Sequence, residues 1–342
     1  MRNRRGGRKT GVLVVSVSVF LFFLLVYGLW AGTVKIPPGQ IFSVLLGNDS
    51  ESPAAKIVLG IRLPRLVMAL LAGMMLSGAG TISQAVFRNP LADPYIIGIS
   101  SGAVAGAALA FILNLPDIWY GVFAFITSMG SAFLIFSLSA KKGGADTASL
   151  LIIGVAISAF LGALTSFMMY LAGQDAYRVM IWTMGYLGSA SWFRVALLSG
   201  PLVLGLLYFF YHRHDVDALL LGDEEAHSLG INVGAFKRQL LIVVSLMAAF
   251  STAFTGMIGF VGLIVPHAVR LCIGNSHGRL LPLAAYTGGV FLLLADTLAR
   301  SVLAPVEVPI GVVTAFFGAP FFLFLAAGGG QGMLRRGGSR GS

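Results

Sequence analysis

Charge is what this sequence has least of. Of its 342 residues only 11% are Asp, Glu, Lys or Arg, against about a quarter in a soluble domain, and 57% are hydrophobic. That balance excludes a water-soluble globular fold and points to an integral membrane protein. Cysteine is nearly absent too: Cys272 stands alone, so neither an intrachain disulfide framework nor a cysteine-built metal cluster can form. Acidic residues number 13 against 23 basic ones, for a net charge of +10. The basic excess sits at the ends of apolar runs and in the tails, so membrane topology explains it better than a nucleic-acid partner. Enzyme signatures are missing as well: there is no paired-histidine metalloprotease motif, no Gly-x-Ser-x-Gly elbow and no phosphate-binding loop of the Gly-x4-Gly-Lys-Ser type. No cofactor is implied.

What the chain does contain is a series of apolar runs about 20 residues long, the length one helical crossing of a bilayer needs. The first, 11–31, follows a tail with Arg2, Arg4, Arg5, Arg8 and Lys9. It is longer than the apolar region of a signal peptide, about 7–15 residues, so it reads as a retained span with the N-terminus in the cytoplasm. Residues 33–62 are polar, with Pro37, Pro38 and the cluster around 48–53, and read as an outer loop. Further spans fall near 63–85, 95–114, 118–140, 148–171, 193–212, 238–259, 260–272, 281–303 and 309–327. The total of ten returns the C-terminus to the starting side. In this layout sixteen Lys and Arg lie inside and seven outside, the expected bias. The resulting organisation is a basic cytoplasmic tail (1–10), one all-α transmembrane domain (11–327) and a second basic tail (328–342). Glycines number 44, a content suited to close helix contact and to interrupted helices. Gly256, Gly259 and Gly262, followed by Pro266, predict a turn and a short or broken span.

One polar stretch interrupts the apolar text. Leu221 to Asn232 reads Leu-Gly-Asp-Glu-Glu-Ala-His-Ser-Leu-Gly-Ile-Asn, inside a cytoplasmic segment 215–237. Gly222 or Asp223 can cap a helix whose first turn holds Glu224 and Glu225, where the dipole favours anions, and Gly230 offers a left-handed stop. Ala226 and Leu229 would form a small apolar side. The pattern fits a docking element between two spans and equally a solvated loop helix.

Few other residues could carry chemistry. Asp296 is an acid deep in a span, a functional candidate by default, but Arg300 one turn later makes an internal ion pair the preferred reading. An intramembrane enzyme built on Asp296 and His267 is the alternative from another class. His212, Arg213, His214 and Asp215 read as a basic span boundary. Arg62 and Arg65 flank Leu63-Pro64 at the outer mouth of a span. Asn89-Pro90-Leu91-Ala92-Asp93-Pro94 is a rigid cytoplasmic turn, with Gly98-Ile99-Ser100-Ser101-Gly102 beginning the next helix.

Taken together, several pieces in this order resemble the FecCD family of ABC importer permeases. They are Arg62-Leu63-Pro64-Arg65, Arg88 to Pro94, Gly98 to Ala103, Leu221 to Gly230, Gly259 to His267, Leu294 to Arg300 and Pro309 to Thr314. The resemblance covers roughly residues 55–325. It implies a type II importer permease of ten helices that forms a homodimer or pseudo-dimer and carries ferric siderophores, haem or cobalamin across the cytoplasmic membrane. It further implies two cytoplasmic ATP-binding subunits and one extracytoplasmic substrate-binding protein as partners. By the same resemblance Gly222, Asp223, Glu224, Glu225, Ala226, His227, Ser228, Leu229 and Gly230 form the ATPase-coupling helix. Arg62, Arg65 and Arg300 become docking residues for the binding protein. Asn89, Leu91 and Thr147 fall at the cytoplasmic gate, and 174–180 at the outer gate helix. Ala148, where some relatives have a hydroxyl, departs from the gate pattern. Another substrate on the same architecture, such as molybdate, remains open.

Overall fold

The structure, a computed structural model, describes residues 2–32, 34–96, 98–140, 147–173 and 176–324. Lys141, Lys142, Asp146, residues 174–175 of the expected outer gate and the tail 328–342 lie outside the described residues. Every regular element described is a helix. In chain order these are α1 (Arg2–Trp30), α2 (Pro38–Leu45), α3 (Pro53–Ile57), a π turn (Val58–Arg62), α4 (Leu63–Val86), α5 (Ile99–Ile112), α6 (Asp117–Ala140), α7 (Thr147–Ala172) and α8 (Ala176–Thr183). There follow α9 (Trp192–Tyr211), α10 (Arg213–Leu219), α11 (Asp223–Ser228), α12 (Val233–Thr255), α13 (Val261–Ile273), α14 (His277–Ser301) and α15 (Ile310–Phe324).

Seven of these segments are long and apolar enough to cross a membrane, and three shorter apolar helices stand where the remaining expected spans fall. The differences are local. The region 33–62 is largely helical, because α3 and the π turn run without a break into α4. The expected span 95–114 shrinks to α5, since Pro90 and Pro94 keep residues 89–96 out of a helix and Gly98 takes a left-handed φ of 73°. The expected 238–259 starts earlier, at Val233, where the Asn232 side chain accepts from the Ala235 N–H, and stops before Gly256 at φ 68°. Pro266 does not break α13. It removes the one bond its own N–H would make to the Gly262 carbonyl, and that carbonyl lies against α4 at Gly80.

The core is organised around α4, nearly all of whose residues are buried. In lipid the hydrophobic effect does not drive helices together, so close contact depends on small residues. Gly73 of α4 lies on Gly288 of α14, where a Cβ would meet the Gly288 carbonyl carbon at 2.8 Å. The Ser77 hydroxyl donates to the Ala284 carbonyl at 2.7 Å, and Gly262 touches the Leu76 carbonyl one turn on. By contrast, α7 and α9 keep broad apolar faces outside, including Phe160, Phe167, Tyr170, Leu204 and Leu207. Such faces suit lipid or another subunit.

The bundle has two polar ends, fixed by the contacts of α4. At its start, Arg62 donates to the carbonyls of Leu29, Trp30 and Val34, and Arg65 reaches Asp296 of α14. After its last residue, Arg88 reaches Leu219 and Asp223.

Candidate functional site

At the second end, α10 and α11 join α9 to α12. The helix α11 is shorter than two turns and opens with Asp223, Glu224 and Glu225, acids that complement the dipole of its first turn. Ala226 is fully buried against the bundle, whereas Leu221, Glu224, Glu225, His227, Ser228 and Leu229 are exposed. Leu229 therefore leaves the face it was expected to share with Ala226. The helix has ended by then, and Gly230 at φ 85° turns the chain away. The outward surface is acidic with two leucines, and one alanine is the element's buried apolar contact.

Polar contacts hold this segment in place. Asp223 pairs with Arg88 and with Lys237 of α12, the latter at 2.8 Å. Partial burial opposes ionisation of Asp223, but the hydrogen bond and charge of Lys237, with the charge of Arg88, outweigh it and keep the carboxyl below its usual range. Asp217 of α10 accepts the backbone N–H of His277 at 2.9 Å and lies 2.6 Å from its Nδ1, which ties α10 to the start of α14. Asn89 Oδ1 accepts the Leu91 N–H at 2.9 Å, an Asx turn that stiffens the loop after α4 and leaves Leu91 half exposed. Thr147 is the first residue of α7.

At the first end the three arginines are engaged rather than free. Arg65 Nε and Nη2 donate to Asp296 at 3.0 and 2.9 Å, while Nη1 and Nη2 donate to Glu307 at 3.0 and 2.9 Å. Arg300 Nε stands 3.1 Å from Asp296 Oδ2, an ion pair whose angle falls short of a hydrogen bond. Its Nη2 meets no acceptor among the described residues. All three guanidinium residues are nearly buried within the single chain. Glu307 was not singled out from sequence, although it is an isolated acid just before the last apolar run. Trp192 of α9 also belongs to this end, donating to the Leu59 carbonyl at 2.9 Å.

Two further arrangements bear on function. A cavity of about 370 Å³ lies among α5, α6, α8, α9 and α12, lined by Phe111, Tyr120, Tyr177 and Trp182 with Arg178 and Arg194. His267 and Asp296, the pair of the enzyme alternative, are not brought together. Counted along the hairpin of α13 and α14, His267 and Asp296 are offset by on the order of 20 Å, His267 stacks near Phe321, and Asp296 is committed to Arg65 and Arg300.

Among the described residues, ten apolar helices around a closely packed central pair, with a short acidic helix at one end and a charge cluster at the other, define a multi-pass membrane protein. The FecCD transport family model matches residues 20–327, and the chain belongs to that family. It is 44% identical to the cobalamin import system permease protein of Halobacterium salinarum, over 79% of this chain and 73% of that one. It is 40% identical to the hemin transport system permease protein of Yersinia pestis, over 90% and 93% of the two chains. Its fold superposes on a metal-chelate type ABC transporter, solved in an inward-facing conformation, with a TM-score of 0.82 and 28% identity over 93% of this chain and 99% of that one.

Proposed function

We propose that this chain, as one permease domain, imports a bulky metal chelate, a ferric siderophore, haem or cobalamin, by alternating access driven by ATP-binding subunits. The observation that carries the reading is α11: a short helix whose one buried apolar residue is Ala226, pinned at its start through Asp223 and turning an acidic, leucine-flanked face outward, well placed for the cleft of an ATPase. ATP hydrolysis then takes place on two copies of a separate subunit beneath a homodimer of this chain. The basic N-terminal tail and the sixteen-to-seven division of Lys and Arg support cytoplasmic termini and a cytoplasmic α11. The opposite end, with Arg62, Arg65 and Arg300, receives the extracytoplasmic binding protein. Docking there exchanges or shares internal partners, and the unmet Nη2 of Arg300 favours an incoming carboxylate, since a buried donor without an acceptor is costly. The Asn89, Leu91 and Thr147 region closes the cytoplasmic side. The mostly aromatic and apolar cavity, in which Asp117 accompanies Arg178 and Arg194, suits a large organic chelate better than a small oxyanion.

The test is uptake into proteoliposomes that hold this chain with its cognate ATPase and binding protein, supplied with haem, cobalamin or ferric siderophores. ATP-dependent accumulation of one of these is expected. No accumulation of any, with uptake of molybdate instead, would overturn the chelate reading.

A further inference from the structure

The loop after α4 and the first residue of α11 are joined by a charged contact whose geometry points to a mechanical role, on the permease reading above. We infer that Arg88 and Asp223 form the latch that carries movement of α11 into the Asn89-to-Leu91 turn. Arg88 has φ 46°, a left-handed conformation that suits glycine and is sterically costly for a residue with a Cβ. It closes α4: the Arg88 N–H donates to Ala85 and the Asn89 N–H to Gln84, the geometry in which glycine is the usual choice. Arginine at this place has a use that glycine lacks. Its Nε donates to the Leu219 carbonyl at 2.8 Å, at the end of α10, and its Nη2 pairs with Asp223 at the start of α11. One side chain thus grips both ends of the link between α10 and α11.

The same residue is covalently next to Asn89, whose side chain locks Leu91. A displacement of α11 therefore pulls the turn through the Arg88 side chain, held at both Nε and Nη2, with no second residue between. Lys237, nearly buried on α12, holds the other carboxylate oxygen of Asp223 and gives the latch a second support. Stability alone does not account for the contact. Arg88 and Asp223 are 37% and 52% exposed, and pairs so open to water add little to folding. Arg88 is a positioning residue: it acts on the turn and touches no substrate.

The experiment uses the complex of this chain with its ATPase subunit in nanodiscs, so no substrate has to be known. In a Cys272→Ser background, Leu91→Cys reports the turn through its rate of labelling by a soluble methanethiosulfonate, with and without ATP. ATP is expected to change that rate. Adding Arg88→Gly, which removes the backbone strain and keeps the helix stop, should leave assembly, thermal stability and ATPase rate in place. It should shrink the ATP-dependent change at least about fivefold, the lower edge of ordinary coupling between sites. In complexes that remain assembled, Asp223→Asn should also shrink the ATP-dependent change, and the double variant should lose no more of it than Arg88→Gly alone. An undiminished ATP response in Arg88→Gly overturns the latch. Loss of thermal stability in that variant also overturns it, in favour of a merely structural contact. If Leu91→Cys without further change shows no ATP response although the ATPase is bound, the permease reading itself fails.

Discussion

Replacing Asp296 by Asn tests the charge cluster at the first end with almost no change of shape. The carboxylate is 1% exposed and is within 3.1 Å of both Arg65 and Arg300. Two arginines, Arg65 and Arg300, face Asp296 and Glu307, with the charge of Arg62 also near Arg300, so the substitution adds to the excess of buried positive charge. Arg65 keeps Glu307, whereas Arg300 loses its acidic partner. Removing one member of a buried pair costs about 3–5 kcal/mol, and the partial compensation through Glu307 places Asp296→Asn near the low end, about 3 kcal/mol.

The assay is thermal unfolding of the purified chain in detergent, followed by tryptophan fluorescence. A loss of that size should lower the midpoint by at least about 5 °C. The reasoning also predicts a sign. Combining Asp296→Asn with Arg300→Met removes one charge of each kind and leaves the Arg65 to Glu307 pair intact, so the double variant should be more stable than Asp296→Asn alone. Two neighbours sharing one network are expected to couple in this way. A single variant within about 1 kcal/mol of the parent, the scale of an exposed ion pair, would refute the argument. So would a double variant as unstable as the sum of the two single ones.

The central crossing and the loop after α4 make two further predictions. Gly80→Ala drives its methyl group into the Gly262 carbonyl, backbone that cannot rotate away, and should cost about 3 kcal/mol, the upper part of the overpacking range. Gly234→Ala in α12, with open space around it, should instead gain about 0.5–1 kcal/mol, and thermal midpoints of the two distinguish them. Asp93 is pushed up to about 6 by burial, against the opposing bond from the Tyr95 N–H. A carboxyl raised in the folded state favours folding while protonated, and that contribution is lost as pH rises through about 6. Asp93→Asn keeps the acceptor, so it should raise the midpoint at pH 8 and leave it unchanged at pH 4, and a rise equal at both would exclude Asp93 as the cause.

How much of this was legible in the sequence follows from the range of each interaction. The spans could be read because apolar run length maps directly onto helix length, and α11 because an acidic start and a glycine stop are local signals. Asp296 with Arg300 could be read because they sit four residues apart on one helix. Arg65 and Glu307 could not: they lie 231 and 242 residues from their partners along the chain, and only the crossing of α4 with α14 brings them together. Arg62 and Arg65 therefore looked like boundary charges, while the fold buries them. The link of Arg88 to Asp223, 135 residues apart, has no sequence signature either. The shortening of α5 could have been anticipated, since Pro90, Pro94 and Gly98 are all helix-ending residues within ten positions.

The packing of α4 also says where movement can occur. Its 24 residues make a rod of about 36 Å, and it is fastened to α14 at three levels: Arg65 to Asp296, Gly73 to Gly288, and Ser77 to the Ala284 carbonyl. Sliding one helix on the other by a fraction of a turn would break all three at once. A push delivered through Arg88 is therefore carried by α4 and α14 together as one body. The spanning helices with the smallest buried share are α1 at 11%, α7 at 17% and α9 at 28% of their windows, and of these α7 packs on α5 and α6 rather than on that body. On this view alternating access moves α7, with the α5 and α6 it packs on, against the central pair, and α7 begins at Thr147 of the proposed gate. Two classes of variant should then separate. Changes at the glycine crossing should impair folding and leave coupling per folded molecule intact, while Arg88→Gly should impair coupling and leave folding intact.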